Sequence, residues 1–118
     1  MTYNGLSMIK KRTYSFQAKD AVSLLGKQIK LARMERKWSL DNLAERTGIS
    51  RVTLQKIEAG KMTSSIGLVF EAAVLVGVPL FEQDNQKYFN TNFNLVQSKI
   101  ALLPKRTRSS TKVVDDDF

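Results

Sequence analysis

Apolar residues between Lys19 and Lys37 fall at Val22, Leu25, Ile29, Ala32 and Met34. The steps of three and four from Val22 to Ala32 mark one face of a helix, and Met34, two residues beyond, is counted with them. Leu24 and Leu31 lie seven apart on a second face. A surface helix needs only one apolar stripe, so this pair is covered either by the N-terminal arm or by a partner. The segment Lys37-Trp38-Ser39 breaks the helix. Ser39 is a suitable N-cap, because its hydroxyl can accept an otherwise unpaired backbone N–H. A short helix is expected over about 40–47, with Leu43 and Ala44 facing in, and Gly48 is placed to end it in the left-handed conformation. Ile49 then turns into the core, Ser50 is the next N-cap, and 51–59 is the next helix, ended by Gly60.

Beyond Gly60 the loop "MTSS" leads to a helix over about 66–76, capped by Ser64 or Ser65 and stopped by Gly77 and Pro79. "LFEQDN" (80–85) can add a last helical turn. Five short helices in some sixty residues describe a small all-α domain. After Asn85 the composition shifts to Asn and aromatics without a clean period, and a short helix is expected only at about 95–103, before Pro104. The expected organisation is an N-terminal arm at 1–17, a domain at 18–85, and a tail at 86–118 that is basic at "KRTRSSTK" and acidic at "VVDDDF". The helix at 66–76 is more apolar than so small a domain requires, with Glu71 its single charge. Leu68, Val74, Leu75 and Phe81 are therefore expected on a surface that needs cover. That cover is the tail, a second copy, or another protein.

Charge narrows the class of partner. The chain carries 19 Lys+Arg against 11 Asp+Glu, a formal +8, which favours nucleic acid or an anionic membrane surface. The excess is local: residues 24–61 hold nine basic and four acidic side chains, whereas 62–104 hold two and three. With no Cys and no His, thiol chemistry, imidazole ligands and His-dependent triads are excluded. The acidic residues are scattered, so no metal site and no cofactor are expected, and nothing arranges a nucleophile with a base. A non-enzymatic protein follows. No apolar run approaches the roughly 20 residues a membrane span needs, and no signal-peptide pattern opens the chain, so no membrane partner and a cytoplasmic location are expected.

The spacing of 39–60 is that of a helix-turn-helix: two helices joined by a short turn containing Gly. Leu54 and Ile57 must face the core. Arg51, Val52, Gln55 and Lys56 are then outward, with Thr53 at the edge. The second helix of such a pair can enter the DNA major groove. Arg can pair with guanine and Gln with adenine in bidentate fashion, while Val offers a methyl surface to thymine. Candidate phosphate contacts are Ser39, Thr53, Lys61 and Ser64.

"LGKQIKLARMERKWSLDNLAERTGISRVTLQKIEAGK" resembles the lambda-repressor-like, or XRE-type, helix-turn-helix family over roughly 24–80. The resemblance rests on Leu43-Ala44, on the turn Gly48-Ile49-Ser50, and on Ile57-Glu58-Ala59-Gly60-Lys61. It implies a five-helix DNA-binding domain with an N-terminal arm and a partly disordered C-terminal tail. It also implies an ion pair between Arg33 and Glu58 that braces the second helix, and base reading by Arg51, Val52 and Lys56, with Thr53 and Gln55 beside them. One departure is Leu40, where the family often has a Gln that bonds phosphate. The fourth helix, "ALLPKRTR" and the acidic ending are similar to HipB-like antitoxins. That likeness implies an autoregulating repressor, a homodimer on a palindromic operator in bacterial DNA and therefore nucleoid-associated when bound, which also holds a HipA-like kinase toxin. The alternative is a protein-interaction module that binds through 66–81 and the tail and whose helix-turn-helix is vestigial.

Overall fold

The computed structural model describes residues 12–81 and 86–105. Most of the arm at 1–17, the residues after Phe81 in the expected helical turn, and the basic and acidic ends of the tail lie outside the described residues. Five helices make up the described chain: α1 (Phe16–Glu35), α2 (Leu40–Thr47), α3 (Arg51–Glu58), α4 (Ile66–Val76) and α5 (Gln86–Leu102). No strand occurs among the described residues. The chain divides into two units, Met1–Leu80 and Phe81–Phe118.

In the first unit α1 packs on α3 and α4, and α2 packs on the same two helices. Ile29, Leu43, Leu54 and Ile57 form the centre, fully enclosed, with Ala44, Ala72, Ala73, Val76 and Leu80 around them. Helices of eight residues such as α2 and α3 are too short to persist alone. They hold because each contributes large side chains to this one core. Serine caps start three of the helices: Ser15, Ser39 and Ser50 accept backbone N–H bonds from Ala18, Asn42 and Thr53. Each such bond contributes about 1 kcal/mol.

α1 begins earlier and ends earlier than its apolar spacing predicts. Lys37, at φ 62°, takes the left-handed conformation that stops it. The Trp38 N–H then reaches back to the Arg33 carbonyl at 3.1 Å and the Lys37 N–H to the Met34 carbonyl at 2.9 Å. Met34 was expected on the inner face but is exposed, as are Leu24 and Leu31. Two close approaches set how α1 meets α3. A Cβ added at Gly26 would lie 2.5 Å from the Ile57 carbonyl oxygen and 2.8 Å from that of Glu58. Gly60, at φ 77°, passes Ser23 so closely that a Cβ there would sit 2.8 Å from its Cα. The chain thus leaves α3 in a left-handed turn pressed against α1, which only glycine allows.

α4 corrects one expectation. Leu68 and Leu75, placed on an outer surface by composition, are partly buried and pack against the core. Their side is shared with Ala72, Ala73 and Val76. The exposed apolar residues of α4 are Ile66 and Val74, and Phe81 is exposed beyond it in the second unit. The second unit holds α5, which starts nine residues before its expected position.

Candidate nucleic-acid interface

α2 and α3 are joined by Gly48-Ile49-Ser50. Gly48, at φ 77°, ends α2, and the Ile49 N–H returns to the Ala44 carbonyl at 3.0 Å. Ile49 packs against the core, and Ser50 starts α3. At 100° per residue, Arg51, Val52, Gln55 and Lys56 span an arc of about 140° on α3. Leu54, Ile57 and Glu58 are buried, while Arg51, Val52, Gln55 and Lys56 are exposed. Val52 keeps 57% of its surface open, an apolar group held in solvent at the helix N-terminus. Thr53 is half-buried between the two arcs, and its hydroxyl is engaged with the Ser50 hydroxyl at 2.9 Å. Its capacity for a further contact is smaller than that of its neighbours.

The back of α3 is fixed by an ion pair. The Arg33 Nε donates to Glu58 Oε2 at 2.8 Å and Nη2 to Oε1 at 3.0 Å, while Nη1 donates to the Trp38 carbonyl at 2.9 Å. Only 11% of the Arg33 side chain and 6% of the Glu58 side chain remain exposed. One guanidinium therefore ties together α1, the chain leading into α2, and the end of α3. The hydrogen bond to Glu58 pushes the Arg33 pKa above its ordinary value; burial opposes the shift, and the charge of Glu58 adds to it. The bidentate fork sets direction as well as distance, so the outward arc of α3 has a defined orientation.

A second pair lies on the outer side. Arg51 Nη1 donates to Asp41 Oδ2 at 3.2 Å, with both side chains exposed. Sequence reading missed Asp41. Its signal was available only in part: an acid in the first turn of α2, opposite the start of α3. An exposed pair contributes only about 0–1 kcal/mol. It holds Arg51 near the front of the helix and is readily exchanged for a stronger acceptor.

The expected phosphate contacts separate. Ser39 is exposed, and its hydroxyl accepts the Asn42 N–H at 3.0 Å while its own hydrogen remains available. Lys61 is exposed just beyond α3, its N–H bonded to the Lys56 carbonyl. Ser64 differs: its hydroxyl is buried without a partner among the described residues, so it is not presented to a phosphate. Its backbone N–H instead closes the loop onto the Lys61 carbonyl. Nor does Ser64 cap α4; Ser65 holds that position without a side-chain bond. Leu40, where a phosphate-binding amide would stand, is partly buried against the core. Beside it, the guanidinium carbons of Arg36 and Arg46 lie 5.2 and 4.1 Å from the centre of the Trp38 ring.

The helix-turn-helix family model matches residues 29–83, from the first fully enclosed residue of α1 through α4. This segment is an XRE-type, lambda-repressor-like helix-turn-helix domain. No curated protein matches the chain. Such a domain supports a DNA-binding transcriptional regulator. α3 stands in the position of the helix that enters the major groove. Among the described residues, no cluster of acidic, His or Cys side chains could hold a metal, and no helix is long and apolar enough to cross a membrane.

Proposed function

We propose that the protein is a sequence-specific transcriptional repressor that reads its operator with Arg51, Val52, Gln55 and Lys56, Thr53 lying at the edge. The observation that carries this reading is the division of α3. Its inner side chains are buried and locked by Arg33, and its outer ones are polar, basic or methyl-bearing and open to solvent. Arg51 and Gln55 suit bidentate base contacts. Ser39 and Lys61 suit phosphate, and the local excess of Lys and Arg supplies attraction independent of sequence. Two copies on a palindromic operator would place two such helices in successive major grooves, about 34 Å apart. The basic and amide side chains of this face favour DNA over protein as the ligand of α3.

The narrower role we infer is that of an autoregulating antitoxin paired with a HipA-like kinase. It draws on the apolar α4 and on the tail composition. Ile66 and Val74 are the apolar side chains of α4 that such a partner would cover. Co-purification from the native host tests this role: a HipA-like kinase retained in stoichiometric amount supports it, and repeated absence under expressing conditions leaves a plain repressor.

The DNA reading is tested by enriching genomic fragments on the purified protein at two salt concentrations. One fragment should survive moderate salt. On that fragment Arg51→Ala costs about 1–3 kcal/mol and relaxes specificity. Lys56→Ala costs a similar amount if it meets a base; if it meets phosphate, it lowers the salt slope by about 1. Enrichment of no fragment, with weak binding lost steeply in salt, would leave only nonspecific attraction.

A further inference from the structure

Leu40 leaves the start of α2 without the amide that could hold a phosphate, and the structure places another group beside the gap. A polar cleft of about 230 Å³ opens there, between Lys30, Arg33, Leu40, Gln55 and Glu58. It lies where α1, the start of α2 and α3 meet. Gln55 belongs both to this cleft and to the outward arc of α3, so the cleft opens beside the reading face. The charges of its wall are unequal. Arg33 and Glu58 hold each other through two hydrogen bonds and cancel. Lys30, one turn before Arg33 on α1, is exposed and has no ion-pair partner among the described residues. The cleft therefore carries one positive charge that nothing in the described chain neutralises, and the Leu40 side chain offers it no polar atom.

We propose that Lys30 holds a phosphate of the DNA backbone at this cleft and replaces the amide missing at position 40. The argument is one of charge and reach. A lysine ammonium is a point charge with three donors on a flexible four-carbon stem. It follows a phosphate without the fixed approach that a short amide on α2 would need. Gln55, with two amide donors at the rim, joins this seat to the base-reading arc. A phosphate contact fixes register and orientation and carries no sequence information directly. Lys30 thus sets how α3 lies on the duplex, while Arg51, Val52 and Lys56 meet the bases. The inference rests on the proposed reading of DNA by α3. Its test also runs on DNA without an operator, so the two readings fail separately.

The test is the salt dependence of binding by the full chain to two duplexes, the enriched operator and an unrelated sequence of equal length. Each neutralised phosphate adds about 0.9 to the slope of log affinity against log salt. Lys30→Ala should lower that slope by about 1 on both duplexes. It should weaken both by the same factor and leave the operator preference as it was. Lys30→Arg keeps the charge and should keep the slope. Lys27→Ala removes the same charge one turn earlier on α1, outside the cleft, and should leave the slope unchanged. Leu40→Gln should restore affinity to the Lys30→Ala chain and add little to the wild type, because one phosphate serves both positions. Circular dichroism and Trp38 fluorescence check that each variant keeps the fold of the first unit. An unchanged slope in Lys30→Ala, an equal fall in Lys27→Ala, or equal gains from Leu40→Gln in both backgrounds overturns the proposal. So does a Lys30→Ala chain weakened on the operator alone, which would make Lys30 a base reader. A lowered slope in Lys30→Ala beside an undiminished preference in Arg51→Ala would uphold the phosphate seat and remove the reading assigned to Arg51.

Discussion

α3 and α5 are both amphipathic, but only α3 has its apolar face filled within its own unit. Eight residues of α3 place Leu54 and Ile57 in a shared core and lock Glu58 by an ion pair. Of the seventeen residues of α5 none is fully buried, and only Phe89 is half-buried. Helix length therefore says little about which element is secure. Among the described residues, the nine buried apolar ones all precede Phe81, and burial of such side chains is the main favourable contribution to folding. α3 can display a costly exposed face because its other face is fully engaged, whereas α5 keeps its apolar face open.

The largest predicted contrast follows from that difference. Leu54→Ala should lower the unfolding free energy of the first unit by about 2–5 kcal/mol, because Leu54 is fully enclosed. Val96→Ala should leave the same transition within about 0.5 kcal/mol. Urea denaturation followed through the single Trp, Trp38, reports on the first unit alone. Equal effects would erase the distinction between the two helices.

Next comes the brace behind α3. Glu58→Ala strands the Arg33 charge and should cost about 2–4 kcal/mol, somewhat below a fully buried pair because Arg33 keeps a little solvent contact. The sign of its pH dependence is fixed. A guanidinium whose folded pKa is raised contributes stability present below its unfolded pKa and lost only as pH rises through the folded one. The Arg33 contribution should therefore be constant between pH 6 and 9, well below the titration of the guanidinium. Loss of the wild-type margin over Glu58→Ala between pH 6 and 9 would contradict it.

Smaller effects separate two glycines. Gly26→Ala meets backbone carbonyls of α3 and should cost about 1–3 kcal/mol. Gly67→Ala meets nothing in α4 and should stabilise by about 0.5–1 kcal/mol. A thermal-unfolding comparison of the two variants checks both signs at once.

The helix-turn-helix was legible because its signals are local. Ser39, Gly48 and Ser50 mark ends by capping chemistry, and three- and four-residue spacing marks the inner faces of α2 and α3. Apolar composition without period misled at α4: Leu68 and Leu75 read as surplus, but the core had room for them. Met34 is exposed because it stands two residues after Ala32, about 200° round α1 from it and off the inner stripe. The start of α5 was hidden by Asn-rich residues that favour loops, an intrinsic preference that only the spacing of Phe89, Phe93, Val96 and Ile100 opposes. The Asp41–Arg51 contact joins residues ten apart across a turn, and the inward Ser64 hydroxyl depends on a loop fold. Neither leaves a periodic trace.

The central claim is that the exposed arc of α3 reads base sequence. Its most direct test is the ratio of affinities for the enriched operator and for unrelated DNA, measured by fluorescence anisotropy at fixed salt. The wild type should prefer the operator strongly, and the Arg51→Ala, Lys56→Ala double variant should lose most of that preference while still binding unrelated DNA. An undiminished ratio in the double variant would contradict the assignment.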